Sequence, residues 1–197
     1  MDVGKETGRD ADKMAYGIMG NGVADPASRT GGLWERLYAG ECVALESAGP
    51  EDTHACGRML GEGCRPGQVY CLTGDLGTGK TVFTQGFARG LGIREPVNSP
   101  TFTIQQVYEG GRMPFYHFDV YRIGDIQEME EIGYEDCFYG DGVCLVEWGD
   151  LIREILPEPY LQVTLEKDLE KGYDYRKITI KQQPGQGAAC RRGAGDV

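Results

Sequence analysis

The sequence predicts an α/β fold, a mixed β-sheet flanked by helices with antiparallel strands at its C-terminal end. Three observations predict it. Apolar runs of strand length alternate with segments of helical periodicity from residue 50 to about residue 150. A Gly-rich turn joins one of these strands directly to a helix. After residue 160 the pattern becomes alternation of apolar and polar residues, as in half-exposed strands.

Taken in order, residues 1–45 form a Gly-rich extension. Gly4, Gly8, Gly17, Gly20, Gly22, Gly31 and Gly32 interrupt each apolar cluster, and charges of both signs alternate. Such a stretch buries too little apolar surface to offset its ordering entropy, so disorder or weak structure is expected, with partner docking as the alternative. Residues 46–183 carry the folded domain, and 184–197 read as a flexible Gly-rich tail. Within the domain, Pro50 suits the start of a helix running from Glu51 to Gly61, with Ala55, Met59 and Leu60 as its apolar positions. Gln68 to Thr73 reads as a strand. Gly79 to Leu91 reads as a helix on Val82, Phe83, Phe87 and Leu91, ended by Gly92. Phe102 to Tyr108 and Pro114 to Tyr121 are two further strands, followed by an acidic helix on Ile126, Met129 and Ile132. Gly142 to Trp148 is the most apolar strand, and Leu161 to Leu165 and Lys177 to Ile180 close the sheet.

Composition narrows the function classes. The 197 residues carry 20 basic and 31 acidic side chains, a formal net charge of -11. A chain that repels polyanions on average is a poor stand-alone nucleic-acid binder, although a local nucleotide pocket is unaffected. No apolar run approaches the roughly 20 residues a bilayer crossing needs, so no membrane partner is expected. Residues Met1 to Ala15 have no apolar signal core. The seven cysteines contain no CxxC pair, which argues for reduced thiols and a cytoplasmic protein.

The strongest chemical signal is Gly74-Asp75-Leu76-Gly77-Thr78-Gly79-Lys80-Thr81, a full GxxxxGK[ST] match between a strand and a helix. Its glycines let backbone N–H groups converge on phosphate oxygens, Lys80 adds a full positive charge, and the Thr81 hydroxyl is a Mg²⁺ ligand type. A phosphate-binding P-loop needs a second carboxylate for metal or water. Asp119, in Tyr116-His-Phe-Asp-Val-Tyr-Arg122, and Glu147, at the end of the most apolar strand, are the candidates. Alternation places Phe115, His117 and Asp119 on one face; a structural acid pairing with Arg122 or capping a helix is the competing reading. Ser99-Pro-Thr-Phe-Thr103 reads either as hydroxyls for a phosphate or its metal, or as a turn into a strand. Trp148 is a packing residue or a stacking surface. His117 reads as a strand histidine rather than a base, because no Ser or Cys nucleophile pattern accompanies it. The acidic run from Asp125 to Asp136 reads as a solvated face.

GDLGTGKT, VNSPTFT, YHFDVYR and CLVEWGD, in this order, resemble the TsaE (YjeE-like) family of bacterial ATPases in tRNA threonylcarbamoyladenosine biosynthesis. The resemblance runs from about Pro50 to Gln182; Thr53 with Gly57, and Gly172 with Arg176, fit its flanking elements. It implies a P-loop NTPase-like sheet, binding of ATP or ADP with Mg²⁺, and slow hydrolysis. It also implies association with TsaD and TsaB in the modification of tRNAs that read codons starting with A, with tRNA met only through that complex. Carried over, Lys80 contacts phosphates, Thr81, Asp119 and Glu147 serve the metal, and Glu147 also serves the attacking water. Gly74 to Thr81, Thr53, Thr101 and Trp148 lie at the nucleotide. The long extension, Cys71 and Cys144 in core strands, and the tail depart from the family pattern without touching these motifs. An independent small-molecule kinase would need arginines over the phosphates, for which Arg112 and Arg122 are the candidates. A GTPase would need the NKxD pattern, which is absent. A non-hydrolysing nucleotide-dependent scaffold differs only in whether turnover matters.

Overall fold

The computed structural model describes residues 15–18 and 26–183. The tail 184–197, and residues 1–14 and 19–25 of the extension, lie outside the described residues. The elements are β1 (Ala15–Ile18), α1 (Pro26–Tyr38), β2 (Val43–Ser47), α2 (Pro50–Gly63), β3 (Val69–Thr73), α3 (Lys80–Gly90), β4 (Gln105–Tyr108), β5 (Phe115–Asp119), α4 (Gln127–Glu131), α5 (Tyr134–Phe138), β6 (Val143–Glu147), a 3₁₀ segment (Gly149–Ile155), β7 (Tyr160–Lys167) and β8 (Arg176–Gln183). The strands form one sheet in the order β1-β2-β8-β7-β3-β6-β5-β4. Its centre, β7-β3-β6-β5, is parallel, while β8 runs antiparallel to both β7 and β2, and β4 antiparallel to β5. The expected mixed sheet with antiparallel C-terminal strands is what the chain forms.

The central strands are short apolar runs because both faces are covered. Every residue of β3 and of β6 is buried. One face packs Tyr70, Leu72, Leu145, Val163 and Ile178 against Phe83 and Phe87 of α3 and Leu60 of α2. The other packs Cys71, Phe118, Cys144 and Val146 against Met129, Phe138 and Ile152.

Three expectations need correction. The first is the extension, whose boundary at residue 45 does not match the packing. Leu33 and Leu37, one helical turn apart on α1, are buried in the main core with Val43 and Leu45 of β2, and β2 pairs with β8 from Val43 to Ser47. The glycine count concealed this i, i+4 apolar pair and the short strand that follows. The second is the strand at Phe102, which begins only at Gln105. Thr103 N donates to Pro100 O in a turn, Ile104 takes a left-handed φ of 64°, and Phe102 is 84% exposed. The third is the acidic helix, which is two short helices because Gly133, at φ 66°, ends the first and opens the second. Its acids Asp125, Glu128, Glu130, Glu131, Glu135 and Asp136 are exposed, as expected.

Glycine decides how closely α2 and α3 approach. A Cβ on Gly57 would lie 2.0 Å from Phe83 O, and one on Gly61 2.1 Å from Phe87 O; Gly86 and Gly90 of α3 meet the backbone of α2 in the same way. The inward face of α2 is therefore Cys56, Gly57, Leu60 and Gly61, and the predicted apolar position Ala55 is exposed. In an uncrowded helix Gly→Ala stabilises by up to about 1 kcal/mol. At this interface Gly57→Ala is expected instead to destabilise by about 2 kcal/mol, since backbone is what the methyl meets. Urea unfolding reads the sign directly, and a stabilised variant would refute the close approach.

Six cysteines fall among the described residues, all free, and five of them are buried. Burial pushes the Cys56 and Cys71 thiols up to about 12 and Cys64 up to about 11, so they behave as packing groups. No described helix is long and apolar enough to cross a membrane.

Candidate functional site

The predicted site residues converge where β3, β5 and β6 end. Glu147, the last residue of β6, is in register with Leu72 of β3 and with Asp119, the last residue of β5. The loop leaving β3 therefore runs beside two adjacent carboxylates at the carboxyl edge of the parallel strands, where open α/β sheets place ligands. Asp119 and Glu147 are only 3% and 2% exposed.

The loop 74–79 has the geometry its glycines permit. Gly74, Gly77 and Gly79 take φ of 141°, 73° and 98°, values that residues with a Cβ rarely adopt. At Gly74 a Cβ would also lie 2.4 Å from Leu165 O. Helix α3 begins at Lys80, so its first N–H groups, which have no acceptor within the helix, open at the loop. Two cations on the β7–β8 hairpin fix the loop from outside. Lys167 Nζ donates to Leu76 O at 3.1 Å, and Arg176 Nε donates to Thr78 O at 2.8 Å. Across a trans peptide the carbonyl and the next N–H point in opposite directions. Holding these carbonyls outward therefore turns the Gly77 and Gly79 N–H groups inward. If the loop holds a nucleotide's phosphates, Arg176→Ala is expected to weaken that binding about fivefold, the value of one partly exposed charged hydrogen bond. Calorimetric titration showing unchanged affinity would remove Arg176 from the loop's support.

Lys80 Nζ donates to Gly74 O at 2.7 Å and Asp75 O at 3.0 Å, and lies 3.7 Å from the centroid of the Trp148 ring. Burial lowers its pKa from the ordinary lysine value, while Glu147, Asp119 and Asp75 act in the opposite direction. Trp148 reaches this position through a left-handed backbone, φ 62° and ψ 28°, a conformation that costs a non-glycine residue about 1 kcal/mol or more. Its N–H donates to Leu72 O at 2.9 Å, and its ring leans on Tyr121 with centroids 4.9 Å apart. Trp148 is thus a lid over the lysine ammonium.

The two carboxylates are held differently. Glu147 Oε1 accepts from Thr84 Oγ1 at 3.0 Å and lies 3.0 Å from His117 Nε2, while Oε2 has the Thr81 hydroxyl at 3.4 Å. Asp119 Oδ2 accepts from Ser99 Oγ and, at 2.7 Å, from Thr101 Oγ1; its Oδ1 accepts from Tyr121 N at 3.1 Å. The SPTFT segment is therefore both a turn and a pair of hydroxyls tied to Asp119. Arg122 does not pair with Asp119 but stacks on Phe102, its guanidinium 4.3 Å from the ring centroid. Arg112 donates to Cys64 O at 2.9 Å and to Gly61 O, at the C-terminal end of α2, where it serves the helix rather than a phosphate.

Thr53 lies on the opposite side of the loop. It is buried, its Oγ1 is 2.8 Å from Ser47 Oγ, and it lines a cleft of about 180 Å³ with Gly77, Gly79, Val82, Asp174 and Arg176. Every predicted site residue thus borders the loop or the two carboxylates. Sequence reasoning missed Thr84 and undervalued His117 and Arg176. Thr84 was visible as the i+3 neighbour of Thr81 on one helix face; the reach of Arg176 from a distant strand was not.

Among the described residues no group of three or more His, Cys, Asp or Glu side chains forms a metal cage. The donor set at the loop, one hydroxyl and two carboxylates, is of the type that binds Mg²⁺ together with a substrate's phosphates, since that ion seldom takes an all-protein cage.

Residues 47–178 match the family model described as "Threonylcarbamoyl adenosine biosynthesis protein TsaE". The chain is 50% identical over 131 residues, 66% of its own length and 80% of the relative's, to the tRNA threonylcarbamoyladenosine biosynthesis protein TsaE of Bacillus subtilis. It is 43% identical over 124 residues, 63% of its length and 89% of the relative's, to the Treponema pallidum protein of that name. Among solved structures, Bacillus subtilis YdiB superimposes with a TM-score of 0.62 at 42% identity, covering 72% of this chain and 86% of that one.

Proposed function

The chain belongs to the TsaE family of tRNA threonylcarbamoyladenosine biosynthesis, and from that premise we propose that it binds ATP and ADP with Mg²⁺ and hydrolyses ATP slowly in support of that modification. The observation that carries the proposal is the register of Asp119 with Glu147, which sets two buried carboxylates beside Lys80 and Thr81. Phosphates would lie against the inward N–H groups of the loop and the Lys80 ammonium. The nucleoside would continue into the cleft of Thr53, Val82 and Arg176. Thr81, Glu147 and Asp119 would hold the metal, which when bound neutralises charge on the phosphate oxygens. Glu147 would accept a proton from the attacking water.

The partners follow from the family reading: TsaD and TsaB, with tRNA engaged through them. The net charge of -11 fits a subunit that does not itself hold a polyanion. Against an independent kinase stand Arg112, committed to the end of α2, and Arg122, stacked on Phe102. One experiment tests the whole reading: complex formation with TsaD–TsaB in ATP, in ADP and without nucleotide, with turnover measured alongside and tRNA binding measured on the isolated chain. Nucleotide-dependent association with hydrolysis is expected. Tight tRNA binding by the isolated chain, or association indifferent to nucleotide, contradicts it.

A further inference from the structure

Glu147 has two oxygens in unequal positions. Oε1 lies 3.0 Å from His117 Nε2 and 3.0 Å from Thr84 Oγ1, whose single proton is shared with Lys80 O at 3.0 Å, whereas among the described residues Oε2 has the 3.4 Å contact with Thr81 Oγ1, on the side of the P-loop. His117 is fully buried on β5, its ring stacked on Phe115 with the planes 8° apart and the centroids at 5.9 Å. Its Nδ1 is buried without a hydrogen-bond partner among the described residues. A carboxylate oxygen only accepts, so the ring nitrogen facing it carries the proton.

The geometry points to His117 as the positioning residue of the site. It donates Nε2–H to Oε1, and with Thr84 it locks the Glu147 side chain so that Oε2, the oxygen facing Thr81, would be the one left to serve metal or water. Thr84 alone leaves rotation about the carboxylate axis open; a second donor on the same oxygen, mounted on a rigid strand and braced by Phe115, closes it. The inference deepens the ATPase reading and rests on it.

The 197 residues include two histidines, so ¹⁵N NMR of the metal-free, nucleotide-free protein can read the His117 tautomer directly. The expected result is Nε2–H. Three variants then separate position from polarity. His117→Phe keeps the stacking and removes the donor. His117→Gln puts an amide nitrogen the same number of bonds from Cα as Nε2, and His117→Asn puts one level with Nδ1. In His117→Phe, kcat for ATP hydrolysis is expected to fall about 10-fold or more with KM for ATP within about twofold, the pattern of a lost supporting hydrogen bond. His117→Gln is expected to recover most of that loss and His117→Asn little of it. An Nδ1–H tautomer, full kcat in His117→Phe, or His117→Gln no better than His117→Asn overturns the inference. A wild-type chain without ATPase activity refutes the ATPase reading instead, and the tautomer then decides the positioning claim alone.

Discussion

Lys80→Ala is expected to abolish nucleotide binding, with a loss in ADP affinity of about 100-fold or more. The side chain is only 6% exposed, and its ammonium rests on two loop carbonyls and the Trp148 ring. Those contacts stabilise a cation at the one point where it faces Glu147, Asp119 and Asp75 together. Its removal subtracts a phosphate partner and also leaves the carboxylates uncompensated, so an incoming polyanion meets net negative charge in a poorly screened cleft. Lys80→Met, which keeps the buried stem, is expected to lose affinity equally. Calorimetry with ADP, accompanied by thermal melts to confirm folding, measures both. Micromolar affinity retained in either variant undoes the P-loop assignment.

The site was legible in this sequence to the extent that its chemistry is local. Loop 74–81 is contiguous, and its glycines announce their conformations through residue type alone. Glu147 was found because a carboxylate ending a buried strand is costly without a task, and Asp119 because strand alternation sets it on one face with Phe115 and His117. Their adjacency was not legible, since it depends on β5 pairing with β6 in a register that no single strand encodes. Arg176 was hidden for the same reason: 98 residues separate it from the carbonyl it holds. The error in the fold came from treating glycine as a mark of disorder. In α1 two glycines precede a buried Leu33–Leu37 pair. In α2 and α3 four glycines are the packing surface itself, visible only once the partner helix is known.

Glu147→Gln is expected to reduce ATP turnover about 100-fold or more while leaving nucleotide bound. The amide is isosteric, and its oxygen can still accept from Thr84 and His117, so the change removes charge and basicity rather than shape. The sign of the binding effect is informative. Without Mg²⁺, Glu147 repels the phosphates beside it, so the variant is expected to bind ADP as tightly as wild type or more tightly. With Mg²⁺, wild type gains affinity through its carboxylate, and that gain is expected to shrink in the variant because a metal oxygen ligand has lost its charge. Glu147→Ala adds a separate cost, since His117 Nε2 is left buried without its acceptor, whereas the Thr84 hydroxyl can still turn its proton to Lys80 O at 3.0 Å. A stability loss of about 1–3 kcal/mol in urea unfolding is expected, a cost that Glu147→Gln, which keeps an acceptor oxygen, avoids. Unchanged turnover in Glu147→Gln would transfer the catalytic role away from Glu147, with Asp119, its register partner on β5, the remaining buried carboxylate at the loop.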